Sequence, residues 1–119
     1  MKKIAIIAAM NKEINEIRKL LVNTQEKEKN GMVFITGNLG DKEIILIESG
    51  IGKVCAAVRC CDIISYFKPD YIINTGLAGG IDVKSEVCDV VIGDEVLVYG
   101  NAPIYSAFLA HVSIRGTKI

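Results

Sequence analysis

One segment near the start of the chain limits the fold more than any other. Ile4 to Ala9 is an unbroken run of small and β-branched apolar side chains, the pattern of a strand that is covered on both faces. Asn11 follows as a candidate helix cap. Apolar residues then recur at helical spacing at Ile14, Ile17, Leu20 and Leu21. A doubly covered strand leading into an amphipathic helix predicts an α/β fold with helices on the faces of a sheet.

Two further strands are predicted before the middle of the chain. The polar stretch from Asn23 to Asn30 is interpreted as a loop. Met32 to Thr36 and Glu43 to Glu48 are rich in strand-forming residues and are separated by the glycine-containing segment 37–42. This arrangement predicts a hairpin whose loop is longer than the tightest turns.

A second helix is predicted after the segment 49–52. Its expected core face consists of Val54, Ala57, Val58, Cys61 and Ile64. Pro69 ends the helix because proline disfavours helical geometry in the residue before it. Another buried strand is expected at 71–74, and further strands at 87–92 and 96–99.

Length and composition indicate one small domain that spans residues 1–119. Half of the residues are hydrophobic and only two are proline, so a buried core is expected. The regular pattern covers 1–99, whereas 102–119 shows no convincing helical or strand period.

Charge, histidine and cysteine content exclude several classes of function. Lys plus Arg equals Asp plus Glu at 14 each, so nothing favours nucleic acid or a membrane surface as partner. No stretch approaches the roughly 18 apolar residues of a membrane span, and the short apolar run after Lys3 lacks a signal-peptide processing site. The single His111 argues against zinc. The four cysteines form no C-x-x-C pair. We interpret them as reduced, partly buried thiols of a cytoplasmic protein.

Three segments follow directly on predicted strands, namely 10–13, 49–53 and 75–80. Because ligands of open α/β sheets bind beyond the carboxyl ends of the strands, we expect these segments to converge. Glu13 lies in the first turn of its helix, where the helix N-terminus favours an ionised carboxylate. It is a candidate base or electrostatic stabiliser. The ordinary alternative is that Glu13 only complements the helix dipole.

The two glycine-containing segments differ in how much they indicate. Residues 50–55 lack the third glycine of a dinucleotide fingerprint at Cys55 and the Ser or Thr of a Walker loop at Val54. A strand-to-helix turn with unusual glycine dihedrals explains them. Residues 75–80 carry three glycines and an alanine after a buried strand. Their exposed backbone favours contact with a flat ligand, although a plain connection is the alternative.

In this order, the segments resemble a known family. The matching segments are Ala8–Glu13, Glu48–Val54, Lys68–Gly80 and Val90–Glu95. They are similar to the 5'-methylthioadenosine/S-adenosylhomocysteine nucleosidases, in the superfamily of purine nucleoside and uridine phosphorylases. The similarity runs from Met1 to about Tyr99, so the chain resembles the N-terminal half of such an enzyme.

The resemblance implies a three-layer α/β/α sandwich of the nucleoside phosphorylase type, incomplete in this chain, and a homodimer. It implies hydrolysis of the N-glycosidic bond of methylthioadenosine or adenosylhomocysteine, without a metal or cofactor. By the same resemblance Glu13 orients and activates the attacking water. Met10 and Ile51 line the ribose and alkylthio region, and Ala78 and Gly79 lie beside the nucleoside.

Three departures from the family pattern affect these expectations. Leu77 stands where the family has Ser, so a hydroxyl contact with substrate is lost. The segment 103–119 diverges from the family. In it only Ala107 and Phe108 resemble the family, at the aromatic residue of the dimer edge, and Phe108 is a candidate substrate contact on that basis. The family's second half, which supplies the adenine-binding strand, the ribose-binding acids and the aspartate that protonates the base, is missing. A truncated or frameshifted gene product would have this form.

Three functions therefore remain open on sequence grounds. The first is an N-glycosidic hydrolase represented by its N-terminal part. The second is a non-catalytic nucleoside-binding or dimerising module. The third is a nucleoside phosphorylase, ranked below hydrolysis because Arg18, Arg59 and Arg115 lie in predicted helices or the irregular tail and offer no clear anion site.

Overall fold

The computed structural model describes residues 1–98 and 112–118. The strands are β1 (Lys2–Ala8), β2 (Val22–Lys29), β3 (Met32–Leu39), β4 (Lys42–Glu48), β5 (Tyr71–Asn74), β6 (Val91–Val98) and β7 (Val112–Lys118), and the helices are α1 (Asn11–Leu20) and α2 (Lys53–Phe67). They belong to two compact units, Met1–Leu77 and Ala78–Ile119. No helix in the described part of the chain has the length and apolarity that crossing a membrane requires.

The first unit contains a mixed sheet in the order β2-β3-β4-β1-β5. Strand β1 runs parallel to both β4 and β5, with Ala5 opposite Ile45 and Ile72. Strand β3 is antiparallel to both of its neighbours, β2 and β4. The interior position of β1 explains its unbroken apolar sequence, because this strand has neighbours on both edges and helices over both faces.

The two helices of this unit cover opposite faces of the sheet. Ala5 and Ile7 of β1 pack in one cluster with Ile63 and Phe67 of α2. Ile4, Ile6 and Ala8 of the same strand pack in a second cluster with Ile14 of α1. Successive residues of a strand point to opposite faces, so α1, the sheet and α2 form three layers. The predicted α/β/α arrangement is confirmed.

The hairpin of β3 and β4 is confirmed, but its turn is tighter than predicted. Only Gly40 and Asp41 separate the two strands. Gly40 has a φ of 58°, a left-handed conformation that glycine adopts without steric cost. The segment 37–42 looked longer because its polar residues extend the two strands.

The prediction of a loop from Asn23 to Asn30 is wrong. Most of this segment belongs to β2, which pairs antiparallel with β3 after a bulge between Val22 and Gln25. Every residue of β2 is exposed, so the strand carries no apolar alternation. Charged side chains are typical of an edge strand, where they discourage pairing with other chains.

The predicted core face of α2 is also wrong. The buried residues of this helix are Asp62, Ile63 and Phe67, whereas Val54 and Ile64 on the predicted face are 77% and 53% exposed. Helix α2 carries its own apolar side chains on several sides, so helical periodicity alone does not distinguish the face that meets the sheet.

The second unit contains a ribbon of β6 and β7. The end of the strand predicted at 87–92 and the strand predicted at 96–99 form one strand, β6, which continues through Gly93 by means of a bulge before Glu95. Residues 87–90 precede this strand and do not belong to it, so the prediction is wrong for them. Its partner β7 lies in the tail where no period was expected. Tyr99 lies outside the described residues.

Candidate active site

The carboxyl ends of the parallel strands bring the predicted loops to one edge of the sheet. The Ser49 N–H that follows β4 donates to the Ala8 carbonyl of β1 at 2.8 Å, and the Thr75 N–H that follows β5 donates to the Ile7 carbonyl at 3.0 Å. The Ser49 hydroxyl also contacts the Ala8 carbonyl at 3.2 Å. The expected convergence of these segments is therefore confirmed within the first unit.

The position of the Glu13 side chain is fixed first by its own helix, whose N-terminus it caps. Helix α1 starts with Met10 as its cap, in extended conformation, rather than with the predicted Asn11. The Glu13 side chain turns back and accepts the Met10 N–H at Oε2, 3.0 Å away. Helix N-termini leave such N–H groups without intrahelical partners, and a glutamate three residues on satisfies one of them. Asn11 is not required as a cap.

The other oxygen of Glu13 reaches the loop after β5. The Leu77 N–H donates to Oε1 at 3.1 Å, across 64 residues of sequence. The half-buried carboxylate therefore bridges the start of α1 and the loop after β5. Amide donors occupy two of the roughly four acceptor positions of a carboxylate. Within the described residues, these two amides are the donors placed against the carboxylate.

Gly76 and Ser49 belong to this geometry, although sequence reasoning did not select them as site residues. A Cβ on Gly76 would lie 2.9 Å from Glu13 Oε1, closer than real Cβ contacts come. The available signal was the unusual density of small residues in 75–80. The partner of that loop, a carboxylate far away in sequence, was not visible in the pattern.

The loop after β4 holds Ile51 between two glycines with positive φ. Gly50 and Gly52 have φ values of 84° and 102°, which confirms the unusual dihedrals predicted for this turn. Gly52 caps α2. Ile51 is 73% exposed at the same edge of the sheet as Glu13, as a residue that contacts ligand requires.

The remaining predicted site residues are placed less completely. Leu77 contacts Glu13 through its backbone, while its side chain is 80% exposed. Ala78 and Gly79 are exposed and begin the second unit. Phe108 lies outside the described residues. The structure thus brings Met10, Glu13 and Leu77 into contact, and the substrate-binding roles of the set stay predictions.

Other groups in the described residues lie away from this edge. No set of three or more His, Cys, Asp and Glu side chains within 1–98 and 112–118 is arranged to hold a metal ion. A cavity of about 230 Å³ is lined by Met1, Asn23, Gln25, Lys27, Thr36, Gly37, Asn38 and Glu43, at the amino end of β4. The Lys42 ammonium lowers the pKa of Asp41 by a hydrogen bond in the hairpin turn.

The cysteines are free thiols, and three of the four lie on α2 as predicted. Cys60 is partly buried. Cys55, Cys61 and Cys88 are exposed, so the prediction of partial burial is wrong for these three. Of these, Cys61 belongs to the apolar stripe of α2 that faces outwards.

The fold agrees with the comparisons to known proteins. A family model described as the phosphorylase superfamily matches residues 3–110. The chain belongs to the phosphorylase superfamily. Among its relatives, the 5'-methylthioadenosine/S-adenosylhomocysteine nucleosidase of Chromohalobacter salexigens is 45% identical over 81% of this chain and 41% of the relative. The enzyme of the same name from Lysinibacillus sphaericus is 48% identical over 79% of this chain and 41% of the relative.

A solved structure extends the similarity to three dimensions. The chain is similar to the MTA/SAH nucleosidase of Streptococcus pneumoniae in complex with 8-aminoadenine, with a TM-score of 0.76 and 36% identity. That match covers 89% of this chain and 46% of the other. The resemblance seen in the sequence is confirmed, and the chain spans less than half the length of the relatives that it matches.

Proposed function

We propose that this chain carries the water-activating part of an N-glycosidic hydrolase that cleaves methylthioadenosine or adenosylhomocysteine into adenine and a thio-ribose. The observation that carries the proposal is Glu13, held by two backbone amides at the carboxyl edge of the sheet, in a chain 45% identical to a nucleosidase of that specificity. A carboxylate with unused acceptor positions accepts a proton from water, as a general base requires.

In the proposed reaction, the Glu13 carboxylate also stabilises positive charge that develops on the sugar. Departure of adenine develops oxocarbenium character at the ribose, and a carboxylate at this edge lowers the energy of that charge. We assign protonation of the leaving base to the part of the family domain beyond the matched 41% of the relatives. Loss of a general acid costs about 10²–10⁴-fold in rate. We therefore expect slow turnover from this chain alone.

Release of adenine from methylthioadenosine, followed by chromatography, tests the proposal. Glu13→Gln should abolish release. Glu16→Gln is the matched control on the same helix, because Glu16 is exposed and pairs with Lys19, and it should leave the rate unchanged. Equal rates from the two variants would exclude Glu13 as the base.

The partial coverage of the relatives favours one second candidate, a nucleoside-binding module without catalysis. Calorimetric titration with methylthioadenosine separates the two functions. Binding without adenine release supports the module, and neither binding nor release contradicts both.

Hydrolysis is preferred to phosphorolysis because two arginine side chains of the first unit have other partners. Arg18 pairs with Glu26 at 3.0 Å, and Arg59 pairs with Asp62 at 2.8 Å. An arginine in an ion pair is less available to bind phosphate. Stimulation of adenine release by inorganic phosphate would reverse this preference.

We propose a homodimer that forms through the outer stripe of α2, defined as Val54, Ala57, Val58, Cys61 and Ile64. The stripe is exposed and has no charged residue. Such uncharged apolar patches are typical of interaction surfaces, and two-fold symmetry allows one patch to pair with itself. Val58→Glu should reduce the sedimenting mass to the 12.9 kDa of one chain. Leu20→Glu, at an exposed apolar position of α1, is the control.

We also propose a cytoplasmic location. All four cysteines are free, and unpaired thiols are typical of reducing compartments. Localisation of a tagged chain tests this assignment.

A further inference from the structure

The contact between α1 and the loop after β5 assigns a role that the sequence did not indicate. We propose that the Gly76–Leu77 peptide positions Glu13, and that Leu77 acts through its backbone N–H rather than its side chain. This inference rests on the proposed function in treating Glu13 as the base. It makes Gly76 and Leu77 positioning residues, since neither needs to touch substrate for this role.

Two amides from distant segments fix the orientation of the carboxylate. The Met10 N–H binds Oε2 at 3.0 Å and the Leu77 N–H binds Oε1 at 3.1 Å. The terminal torsion of a glutamate side chain has a broad range when nothing restrains it. One hydrogen bond at each oxygen restrains that rotation, so the Leu77 amide adds what the Met10 contact alone does not provide.

Gly76 leaves the space that this contact requires. A Cβ at this position would meet Glu13 Oε1 at 2.9 Å and Cδ at 3.4 Å. The atoms it meets are the end of a flexible side chain, so Gly76→Ala displaces the carboxylate and leaves the backbone in place. Absence of a side chain at residue 76 is therefore a condition for the Leu77 contact.

The residue type at position 77 has little influence on this contact. The Leu77 side chain is 80% exposed, and every residue except proline has a backbone N–H to donate. Leucine in place of the family serine removes a hydroxyl and preserves the positioning amide.

Amide resonances followed by NMR across about pH 3 to 6, where carboxyl groups titrate, test the proposal without requiring activity. In the wild-type chain, the Met10 and Leu77 amides should both shift as Glu13 gains a proton. Glu13→Gln should abolish both shifts. Gly76→Ala should abolish the shift at residue 77 and keep the shift at Met10, while Leu77→Ala, the matched control, should keep both. An unchanged response of Leu77 in Gly76→Ala would overturn the proposal.

A double-mutant cycle in urea provides the second measurement. Gly76→Ala should lower the unfolding midpoint in the wild-type background and have a smaller effect in Glu13→Ala, because the clashing carboxylate is gone. Equal effects in both backgrounds would contradict the proposal, as would failure of the Gly76→Ala chain to fold in either background. If the amides respond as expected and no adenine is released, the proposed function fails and the positioning contact stands.

Discussion

Helices α1 and α2 cover opposite faces of the same sheet and distribute their charges in opposite ways. On α1 the buried residue is Ile14, and every charged residue except the half-buried Glu13 is exposed. On α2 the charged pair Arg59 and Asp62 lies on the inner side, while the outer stripe is apolar. The difference teaches that an apolar stripe identifies the core only when polar residues occupy the rest of the helix.

The largest change in stability is expected at Ile63 of α2, and the neighbouring Ile64 provides the comparison. Ile63 is fully buried and Ile64 is 53% exposed. Ile63→Ala should therefore lower the free energy of unfolding by about 2–5 kcal/mol, through lost burial and a residual cavity. Ile64→Ala is the matched control and should cost far less in the monomer. Urea denaturation of both variants measures the contrast, and a larger loss for Ile64 would place the outer stripe in the core.

The next effect concerns the charged pair on the inner side of α2. The side chains of Arg59 and Asp62 are only 20% and 12% exposed, and Asn30 donates to the same aspartate at 3.3 Å. Asp62→Ala leaves the arginine largely buried without its partner, and we expect a loss of about 2–4 kcal/mol, near the range for broken buried pairs. Thermal unfolding measures it. Restored stability in Arg59→Met/Asp62→Leu would confirm that the stranded charge causes the loss.

Removal of the Glu13 carboxylate should have an intermediate effect on stability. Glu13→Ala deprives two backbone amides of their acceptor, and the loss should be about 1–3 kcal/mol. Glu13→Gln keeps an acceptor oxygen and should lose less. Chemical denaturation of both variants distinguishes a carboxylate that supports the fold from one that serves only chemistry, because no loss in Glu13→Ala would mean that the bridge is energetically unimportant.

The smallest effect is expected on the outer face of α1. Lys19 and Glu16 form an ion pair at 2.6 Å, but their side chains are 68% and 80% exposed. Lys19→Ala should change the free energy of unfolding by less than about 0.5 kcal/mol, because solvent screens exposed pairs. Urea denaturation at low and high salt checks this value. A loss comparable to that of Asp62→Ala would remove the contrast between the two helices.

Local patterns predicted the elements whose own sequences carry a complete signal. The apolar run of β1 indicated an interior strand, and its position explains why both sides of that strand are apolar. The turn at Gly50 and Gly52 and the end of α2 near Pro69 were predicted for reasons of backbone conformation, which are local.

Other elements depend on partners that no local window contains. Strand β2 has no apolar alternation because it lies at the edge of the sheet, and only its register with β3 makes it a strand. The same holds for β7, which was not recognised from its own sequence and is defined by its pairing with β6. The Leu77 contact of Glu13 spans 64 residues, so the carboxylate was a candidate in the sequence but its second anchor was not.

The sequence by itself determined that this protein is an α/β chain with a doubly covered first strand, a glutamate in the first turn of the following helix and glycine loops at the strand ends. These properties follow from side-chain type and from backbone freedom at single residues. The tertiary structure alone decided which face of α2 is buried, that β2 is a strand, and that the Glu13 carboxylate bridges two loops. Those outcomes depend on the free energy of packing distant segments together, which a local pattern does not contain.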